Sequence, residues 1–104
     1  MSIIKRALLS KIQEVEVTEA NIHYKGSIKL CPDLMKRAGL EEWQEVEVNG
    51  KNTMSRIKTY VIKGEKGDCE LNGGAANYFD KGDLVHINAY GLVDDLSNHK
   101  PIIC

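Results

Sequence analysis

Short runs of alternating apolar and polar residues, cut at close intervals by glycine-centred turns, limit what this 104-residue chain can fold into. Val15-Glu16-Val17-Thr18 and Val46-Glu47-Val48-Asn49 carry the two-residue period of half-buried strands, and residues 59–62 and 84–89 read likewise. The breaks fall at Asn49-Gly50, residues 64–68, Asn72-Gly73-Gly74 and Lys81-Gly82-Asp83. Helical character has one clear place, residues 32–38, where Pro32 suits the first turn and Gly39 stops the helix. A second short helical turn is expected over residues 75–79. Many short strands with one or two short helices predict a mainly β fold, a small barrel, as a single domain over residues 1–104.

Composition removes several classes of function. The net charge is −1, and Lys and Arg are scattered rather than massed, so neither nucleic acid nor a membrane surface is expected as a partner. Cys31, Cys69 and Cys104 are odd in number and lack a CxxC spacing, which reads as reduced, structural thiols in a cytoplasmic protein. No run is long and apolar enough to span a membrane, and the first residues lack the pattern of a secretory leader. His23, His86 and His99 show no ligand spacing, so a metal is not expected; His86, within an apolar strand, reads as a hydrogen-bonded barrel residue.

Chemistry concentrates at Gly26-Ser27, between Asn21-Ile22-His23-Tyr24-Lys25 and the helix. A serine hydroxyl can attack the carbonyl before it and turn the amide into an ester. Elimination and hydrolysis then leave a pyruvoyl group at the new N-terminus. Such a ketone forms a Schiff base with an amine and withdraws its electrons. Glycine at position 26 leaves the carbonyl open to attack, and a strained peptide would speed the shift. The alternative is an ordinary turn, in which Ser27 only caps the next segment.

Three further segments keep company with it: Ser10-Lys11-Ile12, Arg56-Ile57-Lys58-Thr59-Tyr60 and Asn72-Gly73-Gly74-Ala75-Ala76. In this order, over most of the chain, they resemble the pyruvoyl-dependent aspartate decarboxylase family, with its strand lysine, Y-x-G-S site, R-x-x-T-Y strand and N-G-[AG]-A-A turn. The resemblance implies a six-stranded double-psi β-barrel. It also implies self-cleavage into a β chain of residues 1–26 and an α chain of residues 27–104, with a pyruvoyl cofactor made from Ser27. The implied reaction is decarboxylation of L-aspartate to β-alanine for pantothenate. Gly26, Ser27 and Thr59 would serve processing, and Tyr60 would be the proton donor. Lys11, Arg56, Thr59, Gly73, Gly74 and Ala75 would bind substrate. The implied partners are L-aspartate and further copies of the chain, in a homotetramer with active sites at subunit interfaces. The sequence leaves both spontaneous cleavage and cleavage with a maturation partner open. One departure is Gln13, where family members commonly carry histidine. The competing reading is a non-catalytic small β-barrel that binds a ligand or another protein.

Overall fold

The computed structural model describes residues 3–104. Among them, alternation resolves into eight strands: β1 (Lys5–Glu16), β2 (Glu19–Asn21), β3 (Ser27–Leu30), β4 (Glu45–Gly50), β5 (Arg56–Lys63), β6 (Cys69–Asn72), β7 (Leu84–Val93) and β8 (Ile102–Ile103). They form one mixed sheet in the order β2-β6-β3-β5-β4-β7-β1-β8. β3 pairs parallel with β5 and antiparallel with β6, while β2 runs parallel to β6 and β8 parallel to β1. The remaining ladders, β1 with β7 and β4 with both β5 and β7, are antiparallel.

The fold is therefore mainly β, as the alternation predicts, with eight strands rather than six. No ladder joins the two ends of the order among the described residues. The end strand β2 nevertheless follows β1 directly in the chain, with only Val17 and Thr18 between them. Those two residues leave the β1 ladder for other partners. Val17 N–H donates to the Asp83 carbonyl at 2.8 Å, and Thr18 N–H to the Cys69 carbonyl at 2.9 Å. Register shifts between Leu8 and Ser10, and between Ile12 and Val15, mark bulges that bend β1. Glu14 sits in the second with φ 54°, held by an ion pair with Lys51.

One face of the sheet buries the core. Ile12, Ile28, Leu30, Val46, Val48, Val61, Leu71, Val85, Ile87 and Ala89 alternate along their strands and are all nearly or fully inaccessible. The helix α1 (Pro32–Ala38) adds Met35 and Ala38 to this layer. Its ends follow the expected chemistry. Pro32 lies in the first turn, and Gly39 closes the other end at φ 69°. The Gly39 amide donates to Lys36 and the Leu40 amide to Met35, the paired bonds of a Schellman end. The second helical turn is a 3₁₀ turn over Gly73–Asn77, two residues earlier than the pattern suggests. No described helix is long and apolar enough to cross a membrane.

His86 is hydrogen-bonded, its Nδ1 accepting from the Glu14 amide at 3.3 Å. The three cysteines are free. Burial, reinforced by the neighbouring Asp68 charge, pushes the Cys69 thiol from 9.0 up to about 12. Only the thiolate alkylates, so its reactive fraction at pH 8 is about a thousandfold below that of an unperturbed thiol. Iodoacetamide should therefore label Cys69 only after unfolding, while half-buried Cys104 reacts in the native protein. Peptide mapping that finds native Cys69 labelled at the unfolded rate would show that the β3–β6 ladder is open.

Candidate active site

β3 lies between β6 and β5, and that order brings the candidate residues into a row. Ser27 is the ladder partner of Asn72 on β6. On the other side Ile28 is level with Val61, so one residue earlier Ser27 comes level with Tyr60 on β5. Ser27 is 1% exposed and begins β3 immediately after an exposed turn. That turn is held by Asn21, whose Oδ1 accepts the His23 amide at 3.0 Å.

The Ser27 hydroxyl is gripped from both sides. It donates to the Lys25 carbonyl at 3.1 Å and accepts from Asn72 Nδ2 at 3.0 Å. A hydroxyl that donates and accepts at once loses its free rotation, so Oγ has a fixed place beside the Gly26 carbonyl. Its proton points to the Lys25 carbonyl, and the Asn72 amide group faces its oxygen. Asn72 is fully buried, and its Oδ1 has no partner among the described residues. Leaving such an acceptor unpaired costs about 1–3 kcal/mol. It is an open position for a donor beside Ser27.

The glycine requirement at this peptide rests on a different residue from the one the sequence suggests. Gly26 lies outside the left-handed region and has open space where a Cβ would stand. Gly73 has φ 64°, and a Cβ there would come within 2.7 Å of both Cα and N of Gly26 and 3.0 Å of the Tyr24 carbonyl. The Gly73 backbone thus lies directly against the Gly26–Ser27 junction. Gly74 has nothing within 4 Å of its Cβ position, and Ala75 packs on the core.

Above Ser27 opens a cleft of about 240 Å³ lined by Tyr24, Lys25, Ser27, Trp43, Tyr60 and Ile62. It has room for a small polar molecule. Lys25 supplies positive charge to it. Lys29 lies 5.1 Å from the Tyr24 ring centre and 3.6 Å from Glu70, steadying the Tyr24 rim. Trp43 stacks on Tyr60 with ring centres 5.8 Å apart and planes 28° apart, a contact worth about 0.5–1.5 kcal/mol.

The other expected residues divide. Thr59 pairs with Val46 and shares the inward face of Val61, away from Tyr60, as strand alternation requires. Continuing the β3–β5 register nevertheless brings Thr59 level with Gly26. Lys11 is half-buried on β1, opposite Asn88 and Ile103. Arg56 is exposed, its Nε 4.0 Å from Glu47 Oε1. Four residues of strand place it about 13 Å from Tyr60. Neither Lys11 nor Arg56 lines the Ser27 cleft. Sequence reasoning missed the Asn72 side chain, Tyr24, Lys25, Trp43 and Ile62. Asn72 stands in the Asn-Gly signal and was absorbed into the turn reading. A lone tryptophan among glutamates and glutamine carries no periodicity to place it.

Comparison with known proteins sets the class. The sequence profile described as Aspartate decarboxylase matches residues 3–104, the whole of the described chain. The chain is 45% identical over 98 residues to an aspartate 1-decarboxylase of Bdellovibrio bacteriovorus, covering 92% of this chain and 79% of that protein. It is 48% identical over 101 residues to one of Caldicellulosiruptor bescii, covering 92% and 78%. A third, from Campylobacter hominis, is 45% identical over 98 residues, covering 92% and 86%. The chain belongs to the aspartate decarboxylase family, a family of carboxy-lyases.

The two glycines make a direct test. In a Ser27→Ala background, which keeps the chain intact, Gly73→Ala should lower unfolding stability by about 1–3 kcal/mol, through positive φ and the clash with Gly26. Gly26→Ala should stay within about 1 kcal/mol of the background. Urea titration measures both, and equal losses would remove the Gly73 contact from the account.

Proposed function

We propose that the chain cuts itself between Gly26 and Ser27 and then converts L-aspartate to β-alanine and carbon dioxide, supplying β-alanine for pantothenate in the cytoplasm. The observation that carries this reading is the buried Ser27 hydroxyl, held by Asn72 and Lys25 beside the Gly26 carbonyl, with Tyr60 level across the next strand. In processing, Ser27 Oγ adds to the Gly26 carbonyl carbon and the C–N bond breaks, leaving an ester and a free amine. Loss of the Ser27 α-proton expels the Gly26 carboxylate. Water then replaces the nitrogen, ammonia leaves, and residues 1–26 and 27–104 part as β and α chains. Thr59, level with Gly26, assists that step.

The residues fit a small ketone at position 27. Asn72 Nδ2 puts a donor at that residue, and the side-chain-free surface of Gly73 leaves steric room beside it. Such a group supplies a carbonyl that takes up the substrate amine and draws electrons from its α carbon. The chain's own residues do the rest. Tyr60 gives a proton to the substrate α carbon once carbon dioxide has left. Amides of Gly73, Gly74 and Ala75 face the substrate. Lys11 and Arg56 receive its carboxylates, Arg56 in two-pronged fashion, and Thr59 contacts the substrate from its own strand.

In a homotetramer with sites at subunit interfaces, Lys11 and Arg56, which stand outside their own chain's cleft, would reach a substrate in a neighbouring copy's. Exposed Ile22, Tyr24 and Tyr78 give the apolar area such a contact would cover. The double-psi barrel has support in the strand order. Taking consecutive β1 and β2 as one bent strand joins the two sides of the sheet. The circuit then has six members, with β8 added at its rim.

Intact mass under denaturing conditions tests the central step. Two fragments divided after Gly26, the larger blocked to N-terminal sequencing and reactive to carbonyl reagents, are expected. A chain that stays whole after prolonged warm incubation would leave a binding barrel. Tyr60→Phe should cleave as the parent does while kcat falls about 10²–10⁴-fold. Arg56→Lys should raise KM for aspartate about tenfold or more through loss of the paired contact. An unchanged KM would remove Arg56 from substrate binding.

A further inference from the structure

Trp43 is the only tryptophan of the chain, and its backbone is the wrong kind for its side chain. Residues 41–44 form a turn closed by the Gln44 amide on the Glu41 carbonyl at 3.1 Å. Its third residue, Trp43, has φ 76°. That place in such a turn suits glycine or asparagine, and a bulky residue there is strained. Burial does not compensate, since Trp43 is 70% exposed. The turn is instead bolted in place. The Trp43 amide donates to the Val61 carbonyl at 2.7 Å, and the Val61 amide donates to the Gln44 carbonyl at 3.0 Å. Gln44 Oε1 also accepts from the Glu41 amide at 2.9 Å. These bonds fasten the turn to β5 one residue beyond Tyr60, and the indole then lies on the phenol ring at 5.8 Å.

We propose that Trp43 is a positioning residue for the decarboxylation, its indole fixing the Tyr60 ring so that the phenol faces the substrate carbon held at position 27. The inference rests on the functional reading above, in which Tyr60 delivers the proton. Tyr60 is half-buried, and its ring faces a cleft that leaves it free to swing about its side-chain torsions. A displacement of about 1 Å in a group that must meet a reacting atom costs roughly a hundredfold in rate. A flat indole laid against one face of the ring removes that freedom without touching the substrate. A broken local backbone rule is tolerated where it serves a site, and this one lines the cleft of Ser27.

The stack is read first in the intact Ser27→Ala chain, where no processed group forms. Its near-ultraviolet circular dichroism carries the indole band of one residue. Tyr60→Leu should remove roughly half of that band or more, because the ring that fixes the indole is gone. An unchanged band would overturn the proposal. The second measurement uses the cleaved enzyme. Trp43→Gly suits the turn, so its thermal midpoint should equal or exceed the parent's and its cleavage should be complete. Its kcat should fall about 10- to 100-fold, with KM moving less than about threefold. Trp43→Phe keeps an aromatic face and should stay within about threefold of the parent kcat. Equal losses in the Gly and Phe variants, a parental kcat in the Gly variant, or a changed sedimentation coefficient would each overturn the role. A parent that makes β-alanine alongside an unaffected Gly variant refutes Trp43 alone. A parent that neither cleaves nor makes β-alanine overturns the functional reading and this role with it.

Discussion

Everything at the site depends on the pairing of β3 with two strands of opposite sense. Ile28 and Leu30 point into the core, flanked by Leu71 and Cys69 on β6, with Val61 level with Ile28 on β5. All five of these side chains are at most 1% exposed. A one-residue slip of β3 would turn Ile28 and Leu30 outward, at about 1.5–3 kcal/mol for each buried side chain lost. The same slip would carry Ser27 away from Asn72 and Tyr60. Apolar residues beneath the sheet thus set the position of a hydroxyl above it.

Against that apolar foundation the polar choices are costly. Two adjacent ladder positions carry Ser27 and Asn72, both buried, with one amide oxygen left unpaired. An apolar pair at these positions would avoid that cost. Asn49 and Asn88 also carry a buried unpaired amide oxygen, but of the three only Asn72 bonds the Ser27 hydroxyl. Gly73 adds a second constraint at the same point, because its missing side chain lets the 3₁₀ turn rest on Gly26. The residue that must be glycine for steric reasons is therefore the neighbour of the Gly26–Ser27 peptide, while Gly26 itself has open space where a Cβ would stand.

How much of this was legible in the sequence follows from how local each signal is. α1 was readable to the residue because Pro32 and Gly39 act through their own backbones. β4 and the core of β7 were readable because several alternating residues stand between turns. β2, β3, β6 and β8 have two to four residues each, too few for a period, and exist through their ladder partners. β1 is long, but its two bulges break the alternation that would have shown it. Ser27 and Tyr60 were legible through the motifs that contain them. Their alignment depends on the β3–β5 register, which no local pattern carries. Lys11 and Arg56 were grouped with the site by resemblance, and the folded chain places them on strands whose side chains do not reach the cleft.

The location of the Gly26–Ser27 bond explains how a fold this small could tolerate its loss. It lies in the segment between β2 and β3, where residues 22–26 are exposed and belong to no ladder. On the N-terminal side, β1 keeps its antiparallel ladder to β7 along nearly its full length, and β2 keeps Glu19, Ala20 and Asn21 against β6. On the C-terminal side, β3 keeps both of its neighbours. Breaking the bond therefore removes no strand pairing and exposes no core residue. What changes is the freedom of the ends: residues 22–26 are released from one anchor, while position 27 stays fixed by β6 and β5. A chain divided there would hold its new N-terminus in the cleft and let the other end withdraw from it.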